Sequence, residues 1–299
     1  MNAIEIRNLT KSFRGLYAVD KLNMTVPVGS IYGFIGENGS GKSTTEKLIC
    51  GHLVADSGEI KLFGKDYTDA GVRVRVGALI ENAGCFSSSS IYANLKMQAL
   101  NLGIENIDQE IDRVLEIVRM SGHKNLKFKK CSLGMKQRVG IAMALLGNPA
   151  LLILDEPING LDTDGMRIMR EILVEITQKY GCTVLISSHI LGELEKIATH
   201  YGIIRQGKMI QEISAKEMEG RSRVFVSIKT QDMIGAENAL RKKFDKVKVE
   251  EDCLRVYDLE DTERIVEYLY TSGFVVSEVK KSKIGLEEYY IDLMSKKEK

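Results

Sequence analysis

A glycine-rich stretch near the N-terminus has the residue types and spacing that hold an anion. It reads GENGSGKST over residues 36–44, directly after the apolar, β-prone residues 31–35 and before the helical pair Leu48 and Ile49. Glycines let backbone N–H groups turn inward around an anion, and the positive end of the next helix dipole faces the same point. The pattern G-x-x-x-x-G-K-[ST] is matched at Gly36, Gly41, Lys42 and Ser43. The order strand, loop and helix therefore predicts a site for nucleotide phosphates, and a glycine-rich turn without a ligand is the alternative.

Two polar side chains of this stretch have expected partners. Lys42 is expected to reach the β- and γ-phosphates, and the Ser43 hydroxyl is expected to hold Mg²⁺. By itself the motif does not distinguish a kinase, a GTPase or an ATPase.

Two acids follow an apolar stretch in the middle of the chain. Residues 151–156 read LLILDE, and four successive apolar residues are typical of a strand covered on both faces. Such a strand places Asp155 and Glu156 at its C-terminal edge, where phosphate loops also lie. Asp155 is then expected to take Mg²⁺ through water, and Glu156 to orient and deprotonate the attacking water. The alternative is that the two acids have no role in catalysis and only end the buried strand in solvent.

The elements around these residues alternate between strand and helix. Periodicity and turn residues predict strand signals at 4–6, 57–64, 151–154 and 183–186, a terminal hairpin at 203–210, and helices at 91–119, 133–146 and 164–180. This alternation favours an α/β core with a largely parallel sheet.

The composition changes near Arg221, where a second pattern begins. It predicts strand 223–229, helix 232–243, strand 246–250, strand 253–257, helix 261–271, strand 274–280 and helix 285–294. The order β-α-β-β-α-β followed by a helix indicates a small ferredoxin-like α+β domain at 222–299. Docking or dimer contact is the expected role of this domain, although a fold alone does not give a function.

Composition and charge narrow the classes of function. The chain has 299 residues, of which 44% are apolar, and this content supports a sizeable core rather than disorder. Its net charge of +1 gives no general case for a nucleic-acid or membrane surface. No apolar run reaches about 18 residues, so no membrane span is expected. The five cysteines are scattered and odd in number, which favours reduced cytosolic thiols.

Three further motifs accompany the phosphate loop and the acid pair. CSLGMKQR lies at 131–138, Gly-Leu-Asp lies at 160–162, and His189 follows the stretch ISS. Over residues 1–218 the whole set resembles the ABC transporter ATPase family in the order and spacing of its motifs. The resemblance implies a P-loop NTPase core with a mixed sheet and a helical subdomain at about 85–150.

The stretch CSLGMKQR is the counterpart of the family's signature sequence, whose common form is LSGGQ. Ser132 and Gly134 align with it, whereas Leu133 and Met135 replace a glycine and a glutamine. The form S-L-G-M-K-Q-R is frequent in bacterial single-domain members of the family.

The resemblance implies that two copies pack head to tail around ATP. Nucleotide on the phosphate loop of one copy is then capped by Ser132 and the following helix N-terminus of the other. Asp162 would support the contact between the copies, and His189 would hydrogen-bond the γ-phosphate. Phe13 aligns with the aromatic residue that stacks on adenine, with Tyr17 as the alternative. The nucleotide contacts implied in full are Phe13, Gly36, Asn38, Gly39, Gly41, Lys42, Ser43, Thr44, Ser132, Gly134 and Asp162.

Glu81 departs from the wider family, which usually has a glutamine that touches Mg²⁺ and the attacking water. At about 4 Å and an effective dielectric constant of 20, a carboxylate would repel ATP by about 4 kcal/mol before Mg²⁺ offsets it. Glu81 must therefore bind the metal strongly or lie farther away, and neutral drift from glutamine is the alternative. The expected catalytic residues are Lys42, Glu81, Glu156 and His189, and the expected metal ligands are Ser43, Glu81 and Asp155.

Glutamate at this position is characteristic of the branch that exports lantibiotics and bacitracin. The stretch IENAGCFSSSSIYANL is similar to the corresponding motif of that branch, and residues 286–290 resemble the branch's terminal motif L-E-E-x-F/Y. In the family, the segment from Glu81 to about Leu102 receives a helix of a membrane partner. We interpret four residues of this segment as an apolar socket for that helix, namely Cys85, Phe86, Ile91 and Tyr92. Helix packing inside the subdomain is the alternative.

The sequence thus predicts a cytoplasmic ATP-binding subunit of an antimicrobial-peptide exporter, peripheral on the inner membrane face through a separate permease. ATP and Mg²⁺ are the expected cofactors. The expected partners are the membrane permease and a second ATPase subunit, with which the chain forms an ATP-dependent homodimer. Two alternatives are an exporter ATPase for another drug, ion or lipid and a soluble ABC-type ATPase. Nucleic acid is not an expected partner, because coiled-coil insertions, tandem cassettes and a basic surface are missing from the sequence. A purely regulatory module is a further alternative, against which the positioned base Glu156 argues.

Overall fold

The computed structural model describes residues 1–221, 224–250, 252–257 and 262–295, and its contacts divide the chain into units Met1–Ala215 and Lys216–Lys299. The strands of the first unit are β1 (Asn2–Phe13), β2 (Leu16–Pro27), β3 (Ile31–Ile35), β4 (Ser57–Leu62), β5 (Lys65–Asp66), β6 (Val76–Leu79), β7 (Leu151–Asp155), β8 (Thr183–Ser188), β9 (His200–Arg205) and β10 (Lys208–Ser214). Its helices are α1 (Lys42–Ile49), α2 (Ala70–Arg73), α3 (Ile91–Asn101), α4 (Ile107–Ile117), α5 (Leu133–Leu145), α6 (Thr163–Tyr180) and α7 (Leu191–Leu194).

Six strands of the first unit form a mostly parallel sheet in the order β10-β9-β3-β8-β7-β6. Only β10 runs antiparallel to its neighbour, and it forms a hairpin with β9. Every residue of β3 and β8 is buried, as expected for central strands of a parallel sheet that is covered on both faces. The predicted largely parallel sheet and its terminal hairpin are confirmed.

Parallel pairing brings the C-terminal ends of β3, β7 and β8 to one edge of this sheet. Ile35 pairs with Ser188, and Asp155 pairs with Ser187. The glycine-rich loop, the two acids and the stretch leading to His189 therefore leave the sheet side by side.

A second sheet of four antiparallel strands has the order β2-β1-β4-β5. Its strands β1 and β2 are 12 residues each, and they are joined through Arg14 and Gly15, which both have positive φ. In this ribbon only residues 4–6 are predicted as strand from the sequence. Strand β2 is not among the predicted strands, although Leu22, Met24 and Val26 alternate with exposed residues and face the core.

The helical region of the first unit lies between β6 and β7. The helical pattern predicted at 91–119 is divided into α3 and α4 by a turn at 102–106, which contains Gly103 at φ 69°. Ser132 is the N-cap of α5, so this helix begins where the sequence predicts it. Across the described ranges, no helix combines the length and apolar character that a membrane span requires.

The second unit is reached through α8 (Ala215–Arg221) and contains β11 (Val224–Thr230), α9 (Met233–Arg241), β12 (Val247–Val249), β13 (Leu254–Tyr257), α10 (Thr262–Thr271), β14 (Val276–Lys283) and α11 (Leu286–Ser295). Its sheet order is β12-β13-β11-β14, and all neighbours are antiparallel. This is the arrangement of two interleaved βαβ units, the ferredoxin-like pattern. The core contains Val226, Ile228, Leu240, Leu254 and Leu269. The predicted first residues of two elements, 223 and 261, lie outside the described residues.

Candidate functional site

Two glycines of the phosphate loop occupy positions where a side chain would not fit. A Cβ at Gly36 would lie 2.5 Å from the Ile204 carbonyl oxygen, and a Cβ at Gly41 would lie 2.3 Å from the Ala18 carbonyl oxygen. Gly41 also has φ of 107°, a conformation that only glycine adopts without strain. The loop is therefore packed tightly between β2 and β9, and this backbone path requires glycine.

Helix α1 begins at the end of this loop without a side-chain cap. Gly41 occupies the N-cap position, so the first N–H groups of the helix remain available to an anion. The side chain of Lys42 is only 6% exposed, and its Nζ donates to the Gly36 carbonyl at 2.7 Å and to the Glu37 carbonyl at 3.1 Å. These residues fit a phosphate group, because a free N-terminus and a lysine ammonium converge on one loop.

The packing around Gly41 gives a prediction about stability. We expect Gly41→Ala to lower the free energy of unfolding by about 3 kcal/mol or more, because it combines a strained φ with a backbone overlap. Gly39→Ala is the matched control, since Gly39 has φ of 78° but open space around its Cβ position. It should cost only about 1 kcal/mol. Denaturant unfolding of both variants measures the difference, and equal losses would contradict the packing argument.

The acids after β7 lie within a network that includes β8. The Ser187 hydroxyl donates to Asp155 Oδ1 at 2.8 Å and accepts from the Glu156 backbone N–H at 3.1 Å. His189 Nδ1 lies 2.8 Å from Glu156 Oε2, and Lys42 Nζ lies 3.9 Å from Glu156 Oε1. A carboxylate only accepts, so His189 donates through Nδ1–H. The arrangement holds Glu156 between a lysine and a histidine, in a position to take a proton from water.

Glu156 also has an unusual backbone conformation. Its φ is 49°, in the left-handed region that side-chain-bearing residues adopt rarely. The backbone N–H of Glu156 is fixed by the carbonyl and the hydroxyl of Ser187. Strain that neighbouring groups hold in place is common where a side chain must be aimed at a reaction.

Glu46, on α1, is a buried acid beside these groups. It is 0% exposed, and no described residue donates a hydrogen bond to either carboxyl oxygen. The Ser187 hydroxyl lies close to Glu46 and donates its hydrogen bond to Asp155 Oδ1. Burial raises the pKa of Glu46 well above its ordinary value, and the charge of Asp155 raises it further, while Ser187 and Lys42 lower it.

The signature residues form a second cluster, around the starts of α5 and α6. The Ser132 hydroxyl accepts from the Met135 N–H at 3.3 Å, and Asp162 Oδ1 accepts from the Gly165 N–H at 2.8 Å. Each residue is thus the N-cap of a helix. A cleft of about 400 Å³ separates the two helix starts and is lined by Ser132, Gly134, Arg138, Gly160, Leu161 and Asp162.

The two aromatic candidates for base stacking lie in the ribbon of β1 and β2. Phe13 is 45% exposed, and Lys11 Nζ lies 5.5 Å from its ring centroid. Phe13 pairs with Leu16, whereas Tyr17 pairs with Ser12. Directly paired residues share a face of a sheet, so the two aromatic rings lie on opposite faces. Only one of them can stack on a given base.

Glu81 forms an ion pair with Lys47 of α1, in which Oε1 and Nζ are 2.5 Å apart. Its side chain is 61% exposed, and its φ is 62°. A metal or catalytic role requires this ion pair to open, so that role stays a prediction.

The structure brings Lys42, Asp155, Glu156 and His189 into one cluster, whereas Ser132, Gly134 and Asp162 lie in the cleft between α5 and α6. Sequence reasoning missed Ser187 and Glu46. Ser187 could have been found from the pairing of two buried parallel strands, which sets it beside Asp155. Glu46 could have been found as an acid that follows Lys42 by one helical turn.

Comparisons with known proteins agree with this geometry. Residues 19–159 match a family model described as ABC transporter. The bacitracin transport ATP-binding protein BcrA of Bacillus licheniformis is 36% identical over 297 residues, which cover 97% of this chain and 97% of that protein. The lantibiotic transport ATP-binding protein SrtF of Streptococcus pyogenes is 40% identical over 217 residues, 73% of this chain and 92% of that protein.

A solved structure gives the same result for the fold. The chain cbiO1 of Clostridium perfringens, described as part of the ABC transporter complex cbiONQ, matches with a TM-score of 0.67 at 28% identity. The match covers 74% of this chain and 91% of that one. The predicted P-loop ATPase fold and the family resemblance are confirmed. This chain belongs to the ABC transporter family, as an ATPase whose hydrolysis of ATP is coupled to transport.

Proposed function

We propose that this chain hydrolyses ATP to power the export of antimicrobial peptides of the bacitracin or lantibiotic type through a separate membrane permease. The observation that carries the proposal is the similarity to a bacitracin transport protein along 97% of the chain, which includes the C-terminal unit. On this proposal the chain lies at the cytoplasmic face of the membrane, held there by the permease.

The phosphate loop and α1 would bind the nucleotide. Lys42 would exchange its contacts with two loop carbonyls for phosphate oxygens, which are stronger acceptors because they are charged. Ser43 and Asp155 would hold Mg²⁺, which supplies positive charge to the phosphates. These two residues fit Mg²⁺, because hydroxyl and carboxyl oxygens are ligands that this ion prefers. The buried carboxyl of Glu46 beside them, which forms no hydrogen bond within the described residues, also supports a cation there.

Glu156 would act as the general base of the reaction. It would take a proton from the water that attacks the γ-phosphate, while His189 orients its carboxylate through the 2.8 Å hydrogen bond. Attack breaks the bond between the γ-phosphorus and the bridging oxygen, and ADP leaves with phosphate as the second product.

A second copy of the chain would complete the site. Ser132, Gly134 and Asp162 line their own cleft in this chain, where they are positioned by helix caps rather than by the phosphate loop. Head-to-tail pairing would bring these residues over ATP bound to the other copy, and hydrolysis would weaken the pairing.

The permease would dock on the segment after Glu81. A groove of about 310 Å³ lies there, with Asn82, Gly84, Gln98, Leu102 and Met143 in its lining. Phe86 is 57% exposed and is available to a partner. Ile91, by contrast, is 0% exposed and belongs to the core, so its expected place in an apolar socket is wrong. The reason is helix packing, because Ile91 is the first residue of α3 and is buried within the helical region.

The proposed substrate class has a direct test. We expect cells that express this chain with its permease to survive several-fold higher concentrations of bacitracin or of a lanthionine peptide than cells that express the permease with Glu156→Gln. Growth inhibition measures the effect, and an unrelated antibiotic is the control. Protection against other drugs alone would support an exporter of a different substrate and would contradict the peptide proposal.

A further inference from the structure

Glu46 is a fully buried carboxyl that the proposed mechanism does not use. Neither of its oxygens forms a hydrogen bond in the part of the chain that the structure describes, although Ser187 and Asp155 lie close enough to shift its pKa. An unpaired buried polar group costs free energy, so folded proteins keep few of them. Such a group points to a partner that the isolated chain does not supply.

The position of Glu46 on α1 directs its carboxyl toward the nucleotide end of the helix. Residues three and four positions apart lie on one face, so Glu46 shares a face with Ser43 and Lys42. Helical side chains lean toward the N-terminus, so the carboxyl extends back toward the turn that carries these two residues. On its other side lies Asp155, close enough for its charge to act on Glu46.

The carboxyl groups around Glu46 outnumber the basic group that faces them. Glu46, Asp155 and Glu156 supply three carboxyl groups, whereas Lys42 supplies one ammonium group. The hydroxyl of Ser187 is already directed to Asp155 Oδ1 at 2.8 Å. A divalent cation beside Asp155 would favour the ionised form of Glu46 and bring water molecules that can donate to its oxygens.

We propose that Glu46 is a positioning residue for the divalent cation that accompanies ATP, and that its carboxylate accepts hydrogen bonds from the cation's hydration water beside Asp155. The inference rests on the proposed ATP site and is independent of the transported compound. An apolar side chain of this size would be buried without an unpaired group, so the carboxyl is a cost to folding that a bound cation offsets.

Cation binding can be measured apart from ATP turnover. The full-length chain is titrated with Mn²⁺ in the presence of a non-hydrolysable ATP analogue, and free Mn²⁺ is followed by electron paramagnetic resonance. We expect Glu46→Gln and Glu46→Met to weaken Mn²⁺ binding by about 10- to 100-fold, the loss typical of removing an outer-shell partner. Glu116→Gln, an exposed acid of α4, is the matched control and should bind like the parent.

A second titration, with the analogue and no metal, separates this role from a structural one. Glutamine cannot ionise and so adds no negative charge beside the triphosphate, and that affinity should be unchanged or higher. Parent-like Mn²⁺ affinity in Glu46→Gln overturns the inference and leaves the ATP site intact. Equal losses with and without metal also overturn it, since they indicate damage to the loop. Failure of the parent to bind analogue and Mn²⁺ together overturns the proposed ATP site as well. If Glu46→Met does not fold, Glu46→Gln decides alone.

Discussion

Glu156→Gln is expected to lower the ATP turnover number by about 10²- to 10⁴-fold, the range that a positioned general base contributes. Glutamine keeps the size of the side chain and can still accept from His189 Nδ1, but it cannot take the proton of the attacking water. Nucleotide affinity should change little, because the Lys42 ammonium stays in place and one negative charge near the phosphates is removed. A phosphate-release assay at saturating Mg·ATP measures turnover.

The same variant should accumulate as an ATP-bound dimer, because the event that opens the pair of copies is blocked. Size-exclusion chromatography with and without ATP detects this change. Glu195→Gln, an exposed acid just after α7, is the control and should match the parent in both assays. Undiminished turnover in Glu156→Gln would show that another group removes the proton.

The parallel sheet and its loops could be predicted because the signals are local. A run such as Leu151–Leu154 has apolar residues on both faces, and the glycine-rich loop has its strand, lysine and helix in adjacent positions. Helix α5 was predictable from its cap, since Ser132 supplies the side chain that a helix start needs. Strand β2 was missed, because its alternation of apolar and polar residues begins only after the exposed residues at the tip of the ribbon. The pairing of β2 with β1 is also irregular.

The site was only partly predictable, because several of its contacts join residues that are distant in sequence. Ser187 reaches Asp155 across two neighbouring strands, and Lys47 reaches Glu81 from another element. Such pairs depend on which strands are neighbours and on how the elements pack, and the spacing of residues along the chain does not give this directly. Sequence resemblance assigned Glu81 to the metal, whereas the structure shows that a cation on α1 competes for the same carboxylate.

The neighbours of each acid in the site indicate how the acids can have different functions. Glu81 is paired with Lys47, Glu156 lies between Lys42 and His189, and Glu46 forms no hydrogen bond within the described residues. Three carboxylates with three environments can take different parts, because the neighbours of an acid decide whether it binds a cation, accepts a proton or only pairs. Lys42 matters most, since its ammonium group lies near both the buried Glu46 and Glu156.

Lys42→Ala is expected to weaken Mg·ATP binding by about 10- to 100-fold, because it removes charge-assisted hydrogen bonds worth about 1.5–3 kcal/mol. It also leaves Glu46, Asp155 and Glu156 without the ammonium group that offsets them, so repulsion of the triphosphate increases. Isothermal titration calorimetry measures the affinity, and turnover should fall with it. Lys65→Ala, in the short exposed strand β5, is the control. Denaturant unfolding verifies that both variants are folded, and parent-like binding by a folded Lys42→Ala would contradict the phosphate site.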